Sequence, residues 1–349
     1  MENGIPWTGQ GGLKDAGAIS QVAIIGTGQM GPGIAVTTTL AGCPTTLVGR
    51  TDDSLAHGRS RFAASLAFLV EHGLATAEAS AAATAQLMLT TEVQAVASAD
   101  LVIESIIEHL PTKQQLFREL DDLCPPEVIL ATNTSGLRIS DIASLMSRPE
   151  RAVTTHFWNP GHLMPLVEVI QGERTSEETV QRAYRFLQRC GKRPVIGRKD
   201  VPGQICNRLQ QALIREAIYM VQEGIASAED VETALKAGAA LRWPVYGPFE
   251  HSDFVGLTLT LAVQTAVLPS LCNSTEPGQY LKDLAAAGHL GARTGRGFHD
   301  WSQRSMDDVL RSRDRFLVER LREARVRSLP MGVRSLPVGQ TAGTQEARP

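Results

Sequence analysis

The sequence predicts an α/β fold in which a doubly wound parallel sheet is followed by an all-helical C-terminal domain. Three observations carry this. Short apolar runs alternate with segments of helical spacing from residue 21 to about residue 200, a glycine cluster stands between the first run and the first helix, and strand signals are nearly absent afterwards. Strands buried on both faces are continuously apolar, and their alternation with helices is the pattern of parallel crossover units.

The first element, QVAIIG (21–26), is a short apolar run closed by glycine, as a buried parallel strand should be. Further strands are expected at TTLVG (45–49), DLVIES (100–105), VILAT (128–132) and AVTTHF (152–157), with a helix at TKQQLFRELDDL (112–123), whose apolar residues fall three or four apart. Residues 177–190 have amphipathic helical spacing and lead to PVIGRKDVPG, where the Asp-Val-Pro-Gly turn starts a long helix over 204–224. Beyond it, Ser227 and Asp230 form a capping-box pattern before DVETALKAG, and apolar helical spacing resumes over 253–267. The expected organisation is therefore a disordered N-terminus (1–20), a dinucleotide-binding domain (21–200), a helical domain (201–301), and a charged helix with a disordered tail (302–349) in which the unit VRSLP-x-G occurs twice.

A chain of 349 residues exceeds what one core usually holds, so two domains are expected. A formal charge of −3, spread along the chain, supplies neither a basic face for nucleic acid nor a polybasic membrane anchor, and no apolar run is long enough to span a bilayer. The five cysteines are odd in number and scattered, without a C-x-x-C pair, and no metal site is expected. Without a secretory leader as well, the chain reads as a cytoplasmic protein acting on a small molecule.

Gly26-Thr-Gly28-Gln29-Met30-Gly31 is G-x-G-x-x-G in the context that gives the pattern meaning, after a strand and before a helix. Gly26 permits the tight turn, Gly28 lets backbone approach a pyrophosphate, Gly31 lets helix meet strand, and the helix N-terminus faces the anion. The fold is thus Rossmann-like, and Pro32 suits the helix start. The acid expected at the end of the second strand, where it would hold the adenosine ribose, is missing: Gly49 and Arg50 stand there. Arg50 with Thr51 would suit a 2′-phosphate, leaving NAD or NADP as cofactor; the alternative is that Asp52 or Asp53 reaches the ribose while Arg50 stacks on adenine.

Along the whole stretch from Val22 to Trp301 the motifs GTGQMGPGIA, ADLVIESIIEHLPTK, ATNTSGL, HFWNPGHLMPLVEVI, KDVPGQICNRL, GPFEHSDFVGL and TGRGF occur in order. This set resembles the L-3-hydroxyacyl-CoA dehydrogenases and their relatives acting on carnitine, gulonate and a pyridine carbaldehyde. The resemblance implies His156 as the general base that takes the alcohol proton while hydride leaves for the nicotinamide, with Glu168 orienting the imidazole. It implies Ser135 and Asn207 as ligands of the substrate oxygen and Asn159 as support for the same pocket. Glu108 and Lys113 would lie along the cofactor, as would Asn133 of ATNTSGL and the loop residues Gln29 and Met30. It also implies a homodimer formed through the C-terminal domain.

The chemistry is coherent in its own terms. Imidazole titrates near neutrality and can both take and return a proton, and a carboxylate partner fixes its tautomer. Hydroxyl and amide donors stabilise a developing alkoxide. His156 closes a strand just before Asn-Pro, and ligands bind at the carboxyl ends of strands in such sheets. Glu168, a lone acid within LVEVI, must be paired or exposed at a strand edge. Departures from the family pattern are Pro32 for alanine, His109 for asparagine and Gly136 for a second serine. Trp158 for phenylalanine, together with Arg242, Trp243 and Tyr246, would suit a compact acid better than a long acyl chain. Two other readings stand beside this one. A β-hydroxyacid dehydrogenase would use a catalytic lysine, which the His-x-x-Asn-Pro motif disfavours; a crystallin-like or cofactor-sensing protein would need no catalysis.

Overall fold

The computed structural model describes residues 18–328, so the disorder expected for 1–20 falls outside the described residues as far as residue 17, as does that expected from residue 329. The end of the first stretch is ordered instead, because Ile19 is buried in the core and the Ser20 amide and hydroxyl both donate to Asp100 Oδ2 at 2.7 Å. By internal contacts the described residues divide into two units, one of residues 18–204 with 313–328, the other of residues 205–312.

The first unit carries β1 (Val22–Ile25), α1 (Gly31–Leu40), β2 (Thr45–Val48), α2 (Asp52–Glu71), α3 (Ala77–Ala85), β3 (Leu87–Thr90), β4 (Leu101–Glu104) and α4 (Leu110–Leu123). It continues through β5 (Ile129–Thr132), α5 (Ile139–Ile142), β6 (Ala152–Phe157), β7 (Leu166–Ile170), α6 (Glu177–Arg189) and β8 (Arg193–Gly197). The strands form one sheet in the order β3-β2-β1-β4-β5-β6-β7-β8. All neighbours are parallel except β6 and β7. The strands expected from sequence are those of the sheet's centre; β3, β7 and β8 complete its two sides.

Every residue of β1, β2, β4 and β5 is buried, which is why these runs are apolar without alternation. Their side chains still divide between two cores. Val22, Ile24, Leu101 and Ile103 face one, packed by α1, α2 and α6; Ala23, Ile25 and Val102 face the other, packed by α4 and α5. Strand order reverses at β1, with β2 on one side and β4 on the other, and this opens a crevice beyond their carboxyl ends.

The second unit is helical: α7 (Cys206–Gln222), α8 (Ala228–Ala237), α9 (Ala239–Arg242), α10 (Pro248–Val255), α11 (Leu257–Val267) and α12 (Gln279–Ala286). Ser227 caps α8, its hydroxyl accepting from the Asp230 amide at 3.1 Å. The last helix, α13 (Met306–Ser328), returns from Arg313 onward to the first unit. There Val318 is buried in the α1 core with Leu317 and Leu321 against it, and Arg322 Nε donates to the His72 carbonyl at 2.8 Å. The high charge density of this helix conceals that short apolar face in the sequence.

Candidate active site

The loop between β1 and α1 is pinned on both sides. The Gly26 amide donates to the Val48 carbonyl at 2.9 Å, and the Ser105 amide to the Ile25 carbonyl at 2.8 Å. Gly26 has φ 120°, and a β-carbon there would overlap the Ser105 carbonyl; one at Gly31 would overlap the Gly26 carbonyl. At Gly28 nothing lies within 4 Å of such an atom, so the loop is open where a ligand must approach the backbone. Helix α1 has no side-chain N-cap and no acid in its first turn, which leaves its first amides for an anion. Gln29 is exposed, whereas the Met30 side chain packs on the core and offers the loop only its backbone. Beyond β1 and β4 an open cleft of about 560 Å³ is lined by Ile25, Ile106, Pro111, Thr112, Gln115, Leu116 and Glu119. A glycine cradle beside a partly apolar cleft at the strand-order reversal fits a nicotinamide dinucleotide.

Two buried acids follow. Glu104 ends β4 fully buried, and its Oε1 accepts from Lys113 Nζ at 2.5 Å and from the Ile106 amide at 2.7 Å, while Oε2 accepts from the Thr132 hydroxyl at 2.6 Å. Lys113, buried with it, reaches Glu108 at 3.5 Å as well. Glu108 Oε1 in turn accepts from the Ser135 and Gly136 amides, each at 3.1 Å, and from the Thr134 hydroxyl. Burial alone would raise the Glu108 carboxyl, but the Thr134 hydroxyl, the Lys113 charge and the Gly136 amide outweigh it and hold the group below the usual carboxylate range. The structure therefore joins Lys113 and Glu108 to the turn that presents Ser135, an exposed residue just beyond β5.

The second acid faces the histidine. Residues 158–165 reverse the chain, so β7 runs antiparallel to β6 and His156 stands directly opposite Glu168. His156 Nδ1 lies 2.8 Å from Glu168 Oε2, the imidazole nearly buried and the carboxylate wholly so. Nε2 has no hydrogen-bond partner among the described residues. The Trp158 indole donates to the same Oε2 at 3.0 Å, its ring 5.4 Å from the imidazole. Asn133 binds the strand ends together: its Oδ1 accepts from the Phe157 amide at 2.8 Å and its Nδ2 donates to the Ser105 hydroxyl at 3.4 Å. Asn159 is exposed at the start of the reversal, and Arg50 is exposed beyond β2. Asn207 stands on the first turn of α7, in the second unit.

Three participants escaped the sequence reading. Glu104 carried a usable signal, a lone acid ending an apolar strand nine residues before a lysine. Lys192, buried, donates to the carbonyls of Gly161 at 2.6 Å and Met164 at 2.9 Å, and so fixes the reversal after His156. Burial pushes this lysine down to about 8. Gln204, also buried, donates to the Thr134 carbonyl at 2.9 Å. Neither of these two carried a local signal. Among the described residues no group of His, Cys, Asp or Glu could hold a metal.

Comparison with known proteins places both parts of the chain. Residues 21–201 match the family model described as 3-hydroxyacyl-CoA dehydrogenase, NAD binding domain, and residues 203–301 match its C-terminal domain. A probable 3-hydroxybutyryl-CoA dehydrogenase of Bacillus subtilis is 36% identical over 288 residues, covering 82% of this chain and 99% of the relative. The mitochondrial hydroxyacyl-coenzyme A dehydrogenase of Homo sapiens is 36% identical over 291 residues, covering 81% and 91%. Among solved structures, a 5-formyl-3-hydroxy-2-methylpyridine 4-carboxylic acid 5-dehydrogenase, described as an NAD+ dependent dismutase, superposes with TM-score 0.81 at 30% identity over 88% of this chain and 98% of its own. The (S)-3-hydroxybutyryl-CoA dehydrogenase of Ralstonia eutropha gives 0.69 at 32% identity over 82% and 100%.

Proposed function

Since the chain belongs to the 3-hydroxyacyl-CoA dehydrogenase family, whose members are NAD-dependent oxidoreductases acting on CH–OH groups, we propose that His156 is its general base and Glu168 the residue that orients it. The observation that carries this reading is the 2.8 Å pair at the carboxyl end of β6, with Nδ1 committed to Glu168 and Nε2 left for a substrate proton. Glu168 holds the imidazole in one tautomer and stabilises the imidazolium that forms. Ser135 donates to the reacting oxygen from a turn fixed by Glu108, so the donor is already in place as alkoxide charge develops. When bound, the nicotinamide supplies the hydride acceptor.

The substrate on this reading is a short 3-hydroxyacyl-CoA, the class named for the relatives. The test is an assay of purified protein with 3-hydroxybutyryl-CoA, alongside the His156→Gln variant. Turnover should fall by about 10²- to 10⁴-fold in the variant while dinucleotide binding persists; full turnover without the imidazole would sink the assignment. A second reading, a compact carboxylic acid without coenzyme A, draws on Trp158, whose indole occupies space beside the imidazole. Inhibition by free coenzyme A separates the two, since only a thioester enzyme should bind it.

For assembly we favour a homodimer through the second unit. None of α7 to α12 buries a residue, and Phe249, Phe254, Leu257 and Leu261 are each at least 65% exposed. Apolar surface on this scale demands a cover, and a second copy covers it by symmetry. Among the described residues no single helix is long and apolar enough to cross a membrane; α10 and the segment Leu257–Ser270 pass that test only as a pair bent by 111°. Five free thiols accord with a reducing compartment, for which we suggest the cytoplasm.

A further inference from the structure

The geometry points to Arg50 as the residue that selects the cofactor, by pairing with an adenosine 2′-phosphate and so favouring NADP. This rests on the dinucleotide reading given above. Beyond β2 the Gly49 amide is held by the Thr90 carbonyl at 3.0 Å, which fixes where a side chain at this position would point. A β-carbon there would lie 2.7 Å from Leu55 Cδ2 and 2.8 Å from Ser54 Oγ. A carboxylate-bearing residue, the usual partner of the ribose hydroxyls, would therefore have to push aside the Leu55 and Ser54 side chains in the first turn of α2.

That turn is firmly built. The Ser54 amide donates to the Thr51 hydroxyl oxygen at 3.2 Å, and the Thr51 amide donates to the Ser54 hydroxyl oxygen at 3.1 Å. One turn further along, a β-carbon on Gly58 would stand 3.0 Å from Thr27 Cβ, so α2 packs directly on the glycine loop and its start borders the same crevice. Arg50 precedes this cap, exposed, with no hydrogen bond or ion pair among the described residues. A guanidinium in that place meets a phosphate in a two-pronged, charge-assisted contact, and nothing at position 49 repels the phosphate. Asp52 and Asp53 lie exposed in the first turn of α2, where the helix's N-terminal partial charge offsets only part of their own, so the Arg50 contact must also outweigh the remainder.

Calorimetric titration of the full-length protein with 2′,5′-ADP, 5′-AMP, NADP and NAD tests this without reference to any substrate. The 2′-phosphorylated member of each pair should bind roughly ten- to hundredfold more tightly, the span of a charge-assisted hydrogen bond. Arg50→Ala should erase that advantage while affecting 5′-AMP far less, and Arg50→Lys should restore part of it. The inference is overturned if NAD and 5′-AMP bind as tightly as their 2′-phosphorylated counterparts and Arg50→Ala is without effect, the more so if Asp53→Ala weakens NAD. Binding of neither dinucleotide would instead overturn the functional reading, and the inference with it.

Discussion

Two fully buried carboxylates end up with opposite work. Glu104 is surrounded by donors: an ammonium, a hydroxyl and a backbone amide all point at it. Glu168 meets an indole and an imidazole, and the imidazole has a second nitrogen that the described residues leave without a hydrogen bond. Both satisfy the rule that a buried charge must be paired. Only the second leaves part of its partner available to a ligand. The first pair spends its donors within the protein, whereas the second keeps an imidazole nitrogen for the proton transfer proposed above.

The largest expected effect would break the comparison if it failed. His156→Gln keeps a polar group opposite Glu168 but removes the titrating nitrogen, and should lower kcat by about 10²- to 10⁴-fold with Tm little changed. Next in size is Lys113→Met, which leaves Glu104 buried without its cation. It should cost about 3–5 kcal/mol in denaturant unfolding, while molecules that remain folded keep measurable turnover. Equal loss of kcat and stability in both variants would mean that the two acids do the same job.

Two smaller effects sharpen it. His162 is a half-buried histidine on which the nearby Asp314 carboxylate acts less strongly than burial and Lys192 do. Burial and the Lys192 charge push it down to about 4. Between pH 6.5 and 4 the unfolded chain thus binds the proton more readily than the folded one, so stability falls as pH drops through that window and is untouched above it. His162→Asn should flatten this dependence by up to about 3 kcal/mol between pH 7 and pH 4, measured as unfolding free energy. Glu168→Gln removes the charge but keeps the shape, and should lower kcat roughly ten- to hundredfold, the size of one charge-assisted hydrogen bond. A variant as active as the parent would show that the carboxylate only fills space.

A second contrast separates the two units. The sheet of the first is covered on both faces by its own helices, including the returning part of α13, while the second presents large apolar side chains with nothing buried in α7 to α12. Dimerisation, measured by sedimentation, should fail in Leu257→Asp if those side chains are the contact.

By itself the sequence determined what repeats locally. Continuous apolar runs gave the central strands, glycine spacing gave the loop before α1, and Ser227 with Asp230 gave the start of α8, because each depends on neighbours a few residues away. The resemblance of ordered motifs supplied the family and the candidates His156, Glu168 and Ser135. What only the tertiary structure decided is which distant residues meet. The reversal after β6 sets Glu168 opposite His156, sheet order brings Asn133 to the Phe157 amide, and Lys113 of α4 meets Glu104 of β4 in a buried pair. Such contacts depend on strand order and direction, and a linear pattern of residue types leaves both unspecified.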